Sequence, residues 1–257
     1  MPPAVHDERP LLILTALREE ATPLRDLLIG GRPEPRLRPS IAWRGRIGDR
    51  PALLIVAGMG AAAGASTRRL LDEGPPPLGL LLAGVAGGLD PNLPAGATLL
   101  ATEIRQGERC WRPNPTPPVA GLETGALLTT ERILTTAAEK RAAAGAGARA
   151  VDLEAAGVAA AAAAAGVPWA CMRAISDPAG QSLPVDFNRC RRVDGELSLP
   201  HVLGQALQKP GRIVGLLRLR GQMRLATASL TACLRDWLPR WLDQLEAAPW
   251  PNPEQPT

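Results

Sequence analysis

The sequence predicts a single α/β domain, built on a mixed, largely parallel sheet covered by helices on both faces and followed by C-terminal amphipathic helices. Three observations carry this expectation: apolar runs that do not alternate, small-residue turns that close them, and helix-favouring segments between them. With 257 residues, 46% hydrophobic and 21% charged, the chain is long enough to bury one sizeable core without a second domain.

Taken in order, "LLILTAL" (11–17) reads as a first strand and the polar "REEATPLRDLLI" after it as a helix. "SIAWRGRIG" and "RPALLIVAGMG" read as two strands joined by a turn at Gly48 and Asp49, and "AAAGASTRRLLDE" as the next helix. "PLGLLLAGVAGGL" is a further apolar run stopped by glycines. More strands fit 96–104, 124–130, 148–153 and 167–175, with helices near 132–144 and 154–166. The chain thus divides into an N-terminal tail (1–10), the α/β domain (11–210), a basic amphipathic helical extension (211–245) and a Pro-rich tail (246–257) that is expected to be disordered.

Composition excludes several function classes. The net charge of +4 is not gathered into a basic stripe with a base-reading motif, so no nucleic-acid partner is expected. Cys110, Cys171, Cys190 and Cys233 lie too far apart for a CxxC pair or a zinc set, which points to a reduced, cytoplasmic compartment and no metal. The N-terminus has acidic residues ahead of a short apolar run, unlike a secretory signal or a membrane span. "AGVAGGL" lacks the first-strand position, the GxGxxG spacing and the downstream acid of a dinucleotide fingerprint, so no nicotinamide cofactor is expected. Its glycines suit close backbone approach to a sugar or base, or simply tight strand-to-turn packing.

Ligands of such sheets collect beyond the carboxyl ends of the strands. That rule gathers Glu19 and Glu20, Gly58–Gly60, Gly84–Gly88, Thr129 and Thr130, Glu154, and Ser176 with Asp177. Each has an ordinary reading: Asp177 precedes Pro178 and suits a turn, while Glu19, Glu20, Asp152 and Glu154 sit where first-turn acids complement a helix dipole. Their common edge is more informative than any one of them.

In order and spacing, "LLILTALREEATPLRDLL", "VAGMGAAAGA", "LLAGVAGGLDPNLPAGATLLATE" and "AVDLEAAGVAAAAAAAGVPWACMRAISDPA" resemble the nucleoside phosphorylase/nucleosidase superfamily, above all the methylthioadenosine/adenosylhomocysteine nucleosidases. "LLTTERILTTAAEKRAAAGAGARAVDLE" and "LPHVLGQALQKPGRIVGLLRL" are similar to the hopanoid-biosynthesis branch, whose enzyme removes adenine from adenosylhopane. The resemblance implies that Asp177 is the catalytic acid protonating adenine N7 and that Ser176 orients it. It further implies that Glu154 holds the ribose hydroxyls with the Leu153 backbone against the sugar, that Glu20 rather than Glu19 activates the attacking water, and that Arg173 stabilises the carboxylates. Met59, Val85, Ala86, Gly87 and Ile133 complete the implied substrate site, with Leu134 beside the base. A homo-oligomer without cofactor or metal is implied as well.

N-glycosidic cleavage passes through an oxocarbenium-like sugar, so the leaving base must be protonated and a nucleophile readied on the other face. Superfamily phosphorylases hold phosphate with an arginine and a serine at positions that match Leu82 and Val85, and an apolar pair cannot satisfy that anion. Hydrolysis is therefore favoured, while Arg18, Arg44 or Arg68 leaves phosphorolysis open. The tail "RIVGLLRLRGQMRLATASLTACLRDWLPRWL" fits a membrane surface with Trp at its border, and equally fits helices packed on the core or on a second subunit. The Pro-rich stretches 112–121 and 178–188 are expected to flank the site. The substrate expectation is an adenosylhopane-type lipid nucleoside met at the inner face of the membrane, with a small adenosine derivative as the alternative.

Overall fold

The computed structural model describes residues 8–37, 40–114, 116–117, 119, 121–145, 147–190 and 198–247. Residues 1–7 of the N-terminal tail and 248–257 of the C-terminal tail lie outside the described residues, so the disorder expected of the latter does too. One mixed sheet organises the fold, in the order β10-β6-β8-β9-β5-β1-β4-β3-β2. Its strands are β1 (Leu11–Thr15), β2 (Ile29–Pro33), β3 (Ile41–Ile47), β4 (Arg50–Val56), β5 (Gly79–Gly88), β6 (Thr98–Gln106), β7 (Arg109–Trp111), β8 (Glu123–Thr129), β9 (Ala150–Asp152) and β10 (Trp169–Asp177).

The centre, β4-β1-β5-β10, is parallel. Its residues are apolar without alternation because helices cover both faces, and a strand buried on both sides has no polar face to show. β10 pairs with β6 as well as with β5, so β5, β10, β6, β8 and β9 close into a ring. Closure aligns the ends of these strands: Asp177 is paired with Gly87, Gly87 with Val151, and Thr129 with Asp152. β2 was not anticipated from its Gly- and Pro-rich sequence, and it forms as an exposed antiparallel edge on β3.

On one face lie α2 (Ala61–Glu73) and α4 (Ala155–Ala164). They meet at Gly64 and Gly157, where a β-carbon on Gly64 would stand 2.9 Å from the Gly157 α-carbon. Alanines along α4 let it lie flat against the sheet, with Ala155, Ala156, Ala159 and Ala162 all buried. α1 (Arg18–Leu24) and the long α6 (Pro210–Ala247) cover the other face. The helix expected over 132–144 starts later, as α3 (Ala137–Ala144), because Thr136 caps it: the Thr136 hydroxyl accepts from the Glu139 amide, and the Glu139 carboxylate accepts from the Thr136 amide.

Of the two readings of the tail, its second half takes the one in which the helix packs on the core. α5 (Leu199–Leu207) precedes α6, and the second half of α6 belongs to the core. Ala226, Leu230, Leu234, Trp237, Leu238, Trp241 and Leu242 recur at helical spacing and are buried against β1, β5 and β10 residues. Trp237 and Trp241, which a membrane-surface helix would hold at its border, are both 0% exposed and stack with ring centroids 4.9 Å apart. Arg50 fastens this end, bonding Glu246 at 2.6 Å and Asp243 at 2.9 Å. Residue 211 is thus not a packing boundary.

A Trp241→Ala change is expected to lower stability by about 3–5 kcal/mol, read as the shift in a denaturant midpoint. Truncation after residue 211 is expected to abolish cooperative unfolding, since it removes one layer of the sheet's cover.

Candidate active site

The strand ends on the rim of the ring converge on one cavity of about 370 Å³. Its carboxylates are carried by three turns, after β1, β9 and β10. Glu20 stands in the first turn of α1, just after β1 ends, and is 2% exposed, whereas Glu19 beside it faces solvent. One Glu20 oxygen accepts from the Ala16 and Leu17 amides, both at 2.9 Å, and the other from the Val85 amide at 2.8 Å. The same side chain therefore caps a helix and links the β1 turn to β5. Burial pushes its carboxyl above the usual range, against the pull of Arg173 and of these three amides.

Glu154 follows β9 at the entry of α4. Its carboxylate accepts from the Gly60 amide at 2.9 Å and from Arg173 Nη2 at 3.3 Å. Burial first, and then the neighbouring Asp152 charge, push it up to about 7 in spite of Arg173. Asp152 also ion-pairs with Arg173, accepts from the Thr129 hydroxyl at 2.8 Å and caps α4 through the Ala155 amide. Arg173, 0% exposed, lies behind the cavity among Glu20, Asp152 and Glu154. Its Nη1 points at the backbone of Gly84, where a β-carbon would stand 2.4 Å from that nitrogen, so only glycine fits there.

Asp177 ends β10. Ser176 Oγ donates to one of its oxygens at 2.5 Å, while the Lys140 ammonium, from α3, ion-pairs with the other. Lys140 is 1% exposed and also reaches the carbonyls of Pro178 and Gln181, each at 3.0 Å. Burial raises the Asp177 carboxyl and Lys140 opposes that rise. Sequence reasoning missed Lys140 as a site residue. The available signal was compositional: it is one of two lysines, with Lys209, among 29 basic residues, set in an alanine-rich helix.

Glu20, Met59, Val85, Ala86, Gly87, Ile133, Leu153, Glu154, Ser176 and Asp177 all line this cavity, with Leu134 and Asp152. Leu82 does not: it is buried within β5, paired with Leu14 and Cys171. None of Arg18, Arg44 and Arg68 is among the residues lining the cavity. Arg44 bonds Glu34, and Arg68 lines a neighbouring depression with Gly60 and Thr130. The basic side chains on the cavity wall are Lys140 and Arg220, the latter from α6. Residues 178–188 form part of the rim, as expected, with Leu183 and Phe187 on the wall and Asn188 bonding both the amide and the carbonyl of Ile133. The described residues of the 112–121 stretch do not: Asn114 accepts from the Trp169 amide at the start of β10, the end of that strand opposite Asp177.

Because the folded state holds Glu154 at about 7, against 4.5 for an ordinary glutamate, it retains a proton that the unfolded chain has released. Stability from this group is thus greatest below the unfolded value and declines as pH rises across that window. Glu154→Gln is expected to flatten the fall in urea midpoint between about pH 5 and 7; an unchanged slope would place the dependence on Glu20 or Asp177.

Comparison with known proteins agrees with this architecture. A curated 5'-methylthioadenosine/S-adenosylhomocysteine nucleosidase from Glaesserella parasuis is 26% identical over 229 residues, spanning 74% of this chain and 95% of its own length. Among solved structures, an S-adenosylhomocysteine nucleosidase from Streptococcus pyogenes in complex with 5-methylthiotubericidin superposes with a TM-score of 0.68 at 17% identity, over 91% of this chain and 98% of its own. A futalosine hydrolase mutant of Helicobacter pylori gives 0.65 at 16%, over 92% and 99%. The model of the phosphorylase superfamily matches residues 10–119 and 119–196, which take in every carboxylate of the cavity, and by that match the chain belongs to this superfamily.

Proposed function

We propose that the protein is an N-ribosyl purine nucleosidase that releases adenine from adenosylhopane by hydrolysis, leaving ribosylhopane. Asp177, oriented by Ser176, protonates adenine N7, and a dry, buried carboxyl suits that task. Glu154 holds the ribose hydroxyls, Leu153 lies along the sugar, and Glu20 takes the proton of the attacking water. Arg173 keeps the three carboxyl groups around it from repelling one another out of register. The named activities of the curated relative and of the solved structures, each a hydrolase or nucleosidase acting on a nucleoside, favour this reaction class. The apolar Val85, at the position where phosphorylases carry an anion-binding serine, favours water over phosphate.

The observation that carries the lipid substrate is the apolar wall beyond the carboxylates, made by Leu183, Phe187, Leu216, Leu219 and Met223. That wall continues outward. Of eight exposed large hydrophobic residues among the described ones, seven (Leu199, Leu203, Leu207, Ile213, Val214, Leu217 and Leu225) fall on α5 and the first half of α6. The same stretch carries Lys209, Arg212, Arg218, Arg220 and Arg224 and no acidic residue. No described helix is long and apolar enough to cross a membrane. An apolar face rimmed by cations suits contact with an anionic lipid surface, from which a triterpenoid nucleoside would enter the cavity.

Purified protein incubated with adenosylhopane in detergent is expected to release adenine without phosphate, and Asp177→Asn to lose about 10²–10⁴-fold of that rate. Strict phosphate dependence with a sugar 1-phosphate product would establish phosphorolysis, and turnover of methylthioadenosine alone would establish the small-substrate alternative. Sedimentation with phosphatidylglycerol vesicles is expected to exceed that with phosphatidylcholine and to weaken with salt. The L203E/L207E/V214E triple variant is expected to lose it; equal binding by that variant would remove the membrane contact.

A further inference from the structure

We propose that Lys140 is the positioning residue that holds the proton Asp177 delivers to the leaving base. The inference rests on the reading of Asp177 as the acid of a nucleosidase. Its starting point is a conflict in the geometry: an acid must carry a proton, yet both Asp177 oxygens already receive one donor each, from Ser176 and from Lys140. A carboxyl so placed is the acceptor partner of an ion pair, and the proton nearest to it is on the ammonium.

The surroundings of Lys140 accommodate both proton positions. Its Nζ has three hydrogens and four acceptors: the Asp177 carboxylate, the Asp177 carbonyl at 3.2 Å, and the carbonyls of Pro178 and Gln181 at 3.0 Å. When one Nζ–H bond breaks and an Oδ2–H bond forms on Asp177, the neutral amine keeps two hydrogens for those carbonyls and its lone pair accepts from the new hydroxyl. Three carbonyls then share two hydrogens, and that of Pro178 keeps a second donor in the Gln181 amide at 2.9 Å. Among the described residues around the pair, Ser176 donates from β10, the charged Glu20, Asp152 and Glu154 line the same cavity with Arg173 behind them, and Arg220 enters from α6. Glu139, next to Lys140 on α3, is turned away to Arg132 and the Thr135 and Thr136 amides.

Filling the cavity with an apolar substrate removes water, and a dry pair favours the neutral amine and carboxylic acid over two separated charges. The Oδ2–H bond then breaks as N7–H forms and the C–N bond to the sugar opens, while the water oxygen bonds to the sugar carbon and its proton passes to Glu20. The proton returns from Glu20 to Lys140 through solvent once the products leave, which balances the cycle. The ammonium is thus the store from which Asp177 is reloaded before each turnover.

The test is the pH profile of adenine release from whichever of adenosylhopane and methylthioadenosine the wild-type protein turns over. Lys140→Met leaves a buried lone acid, and the alkaline limb is expected to move toward acid, with rates within about tenfold of wild type below neutrality and about 10²-fold or more lower at about pH 8–9. Lys140→Arg keeps the charge but cannot release a proton, and its limb is expected to lie further toward acid still. A limb that stays in place or moves to higher pH in K140M, or wild-type behaviour in K140R, overturns the proposal, because a purely electrostatic lysine would lower the acidity range of Asp177 and its loss would raise it. Full activity of D177N would instead remove the nucleosidase reading of the site. Independently of turnover, K209R leaves Lys140 as the single lysine, and the side-chain resonances of labelled lysine report its charge. With adenine bound, a neutral amine is expected above neutral pH, whereas an ammonium persisting to about pH 9 overturns the proposal.

Discussion

The site depends on one buried cation. Arg173 has no solvent to screen it and lies among Glu20, Asp152 and Glu154, three carboxyl groups brought from the ends of β1 and β9. Without it, the burial that raises Glu20 and Glu154 would act with no opposing charge, and the rim of the sheet would repel itself. The backbone is built around this guanidinium. Gly84 gives it room, Asp152 fixes it while capping α4, and the Val85 and Gly60 amides take up the remaining carboxylate oxygens.

Two halves of α6 perform different work. From Ala226 onward the helix is a structural layer, with Trp237 and Trp241 stacked beneath the sheet and Arg50 clamping the end. Before Ala226 it forms one wall of the cavity through Leu216, Leu219, Arg220 and Met223, and presents apolar side chains to solvent. The Gln181–Gln222 amide pair, at 2.8 and 2.9 Å, ties this half to the rim loop that also carries the Lys140 acceptors. One continuous element thus couples the stability of the domain to the shape of its substrate wall.

How much of this was legible beforehand follows from where each interaction is made. The apolar runs of β1, β4, β5 and β10 and the alanines of α4 are local patterns, and they led to the parallel centre, the helical cover and the rim on which Glu20, Glu154 and Asp177 meet. Choosing Glu20 over Glu19 rested on the family resemblance, and burial separates the two in the same way. The tail stayed open between two readings because an amphipathic helix with Trp and Arg has the same sequence pattern whether its apolar face meets lipid or protein. What decides is the sheet face left open by the preceding elements. The Pro-rich 112–121 stretch misled for a related reason, since closure of the ring through β6 carries it to the opposite end of β10.

By itself, the sequence determined the fold class, the central strands and the helices between them, and the strand ends on which the carboxylates meet, because periodicity and turn chemistry act between near neighbours in the chain. Tertiary structure alone decided that Lys140 pairs with Asp177 across 37 positions, that Asp152 joins Glu154 on the Arg173 guanidinium, and that the second half of α6 is core. These depend on ring closure and on which faces remain open for packing, and contacts of that range leave no period in the sequence.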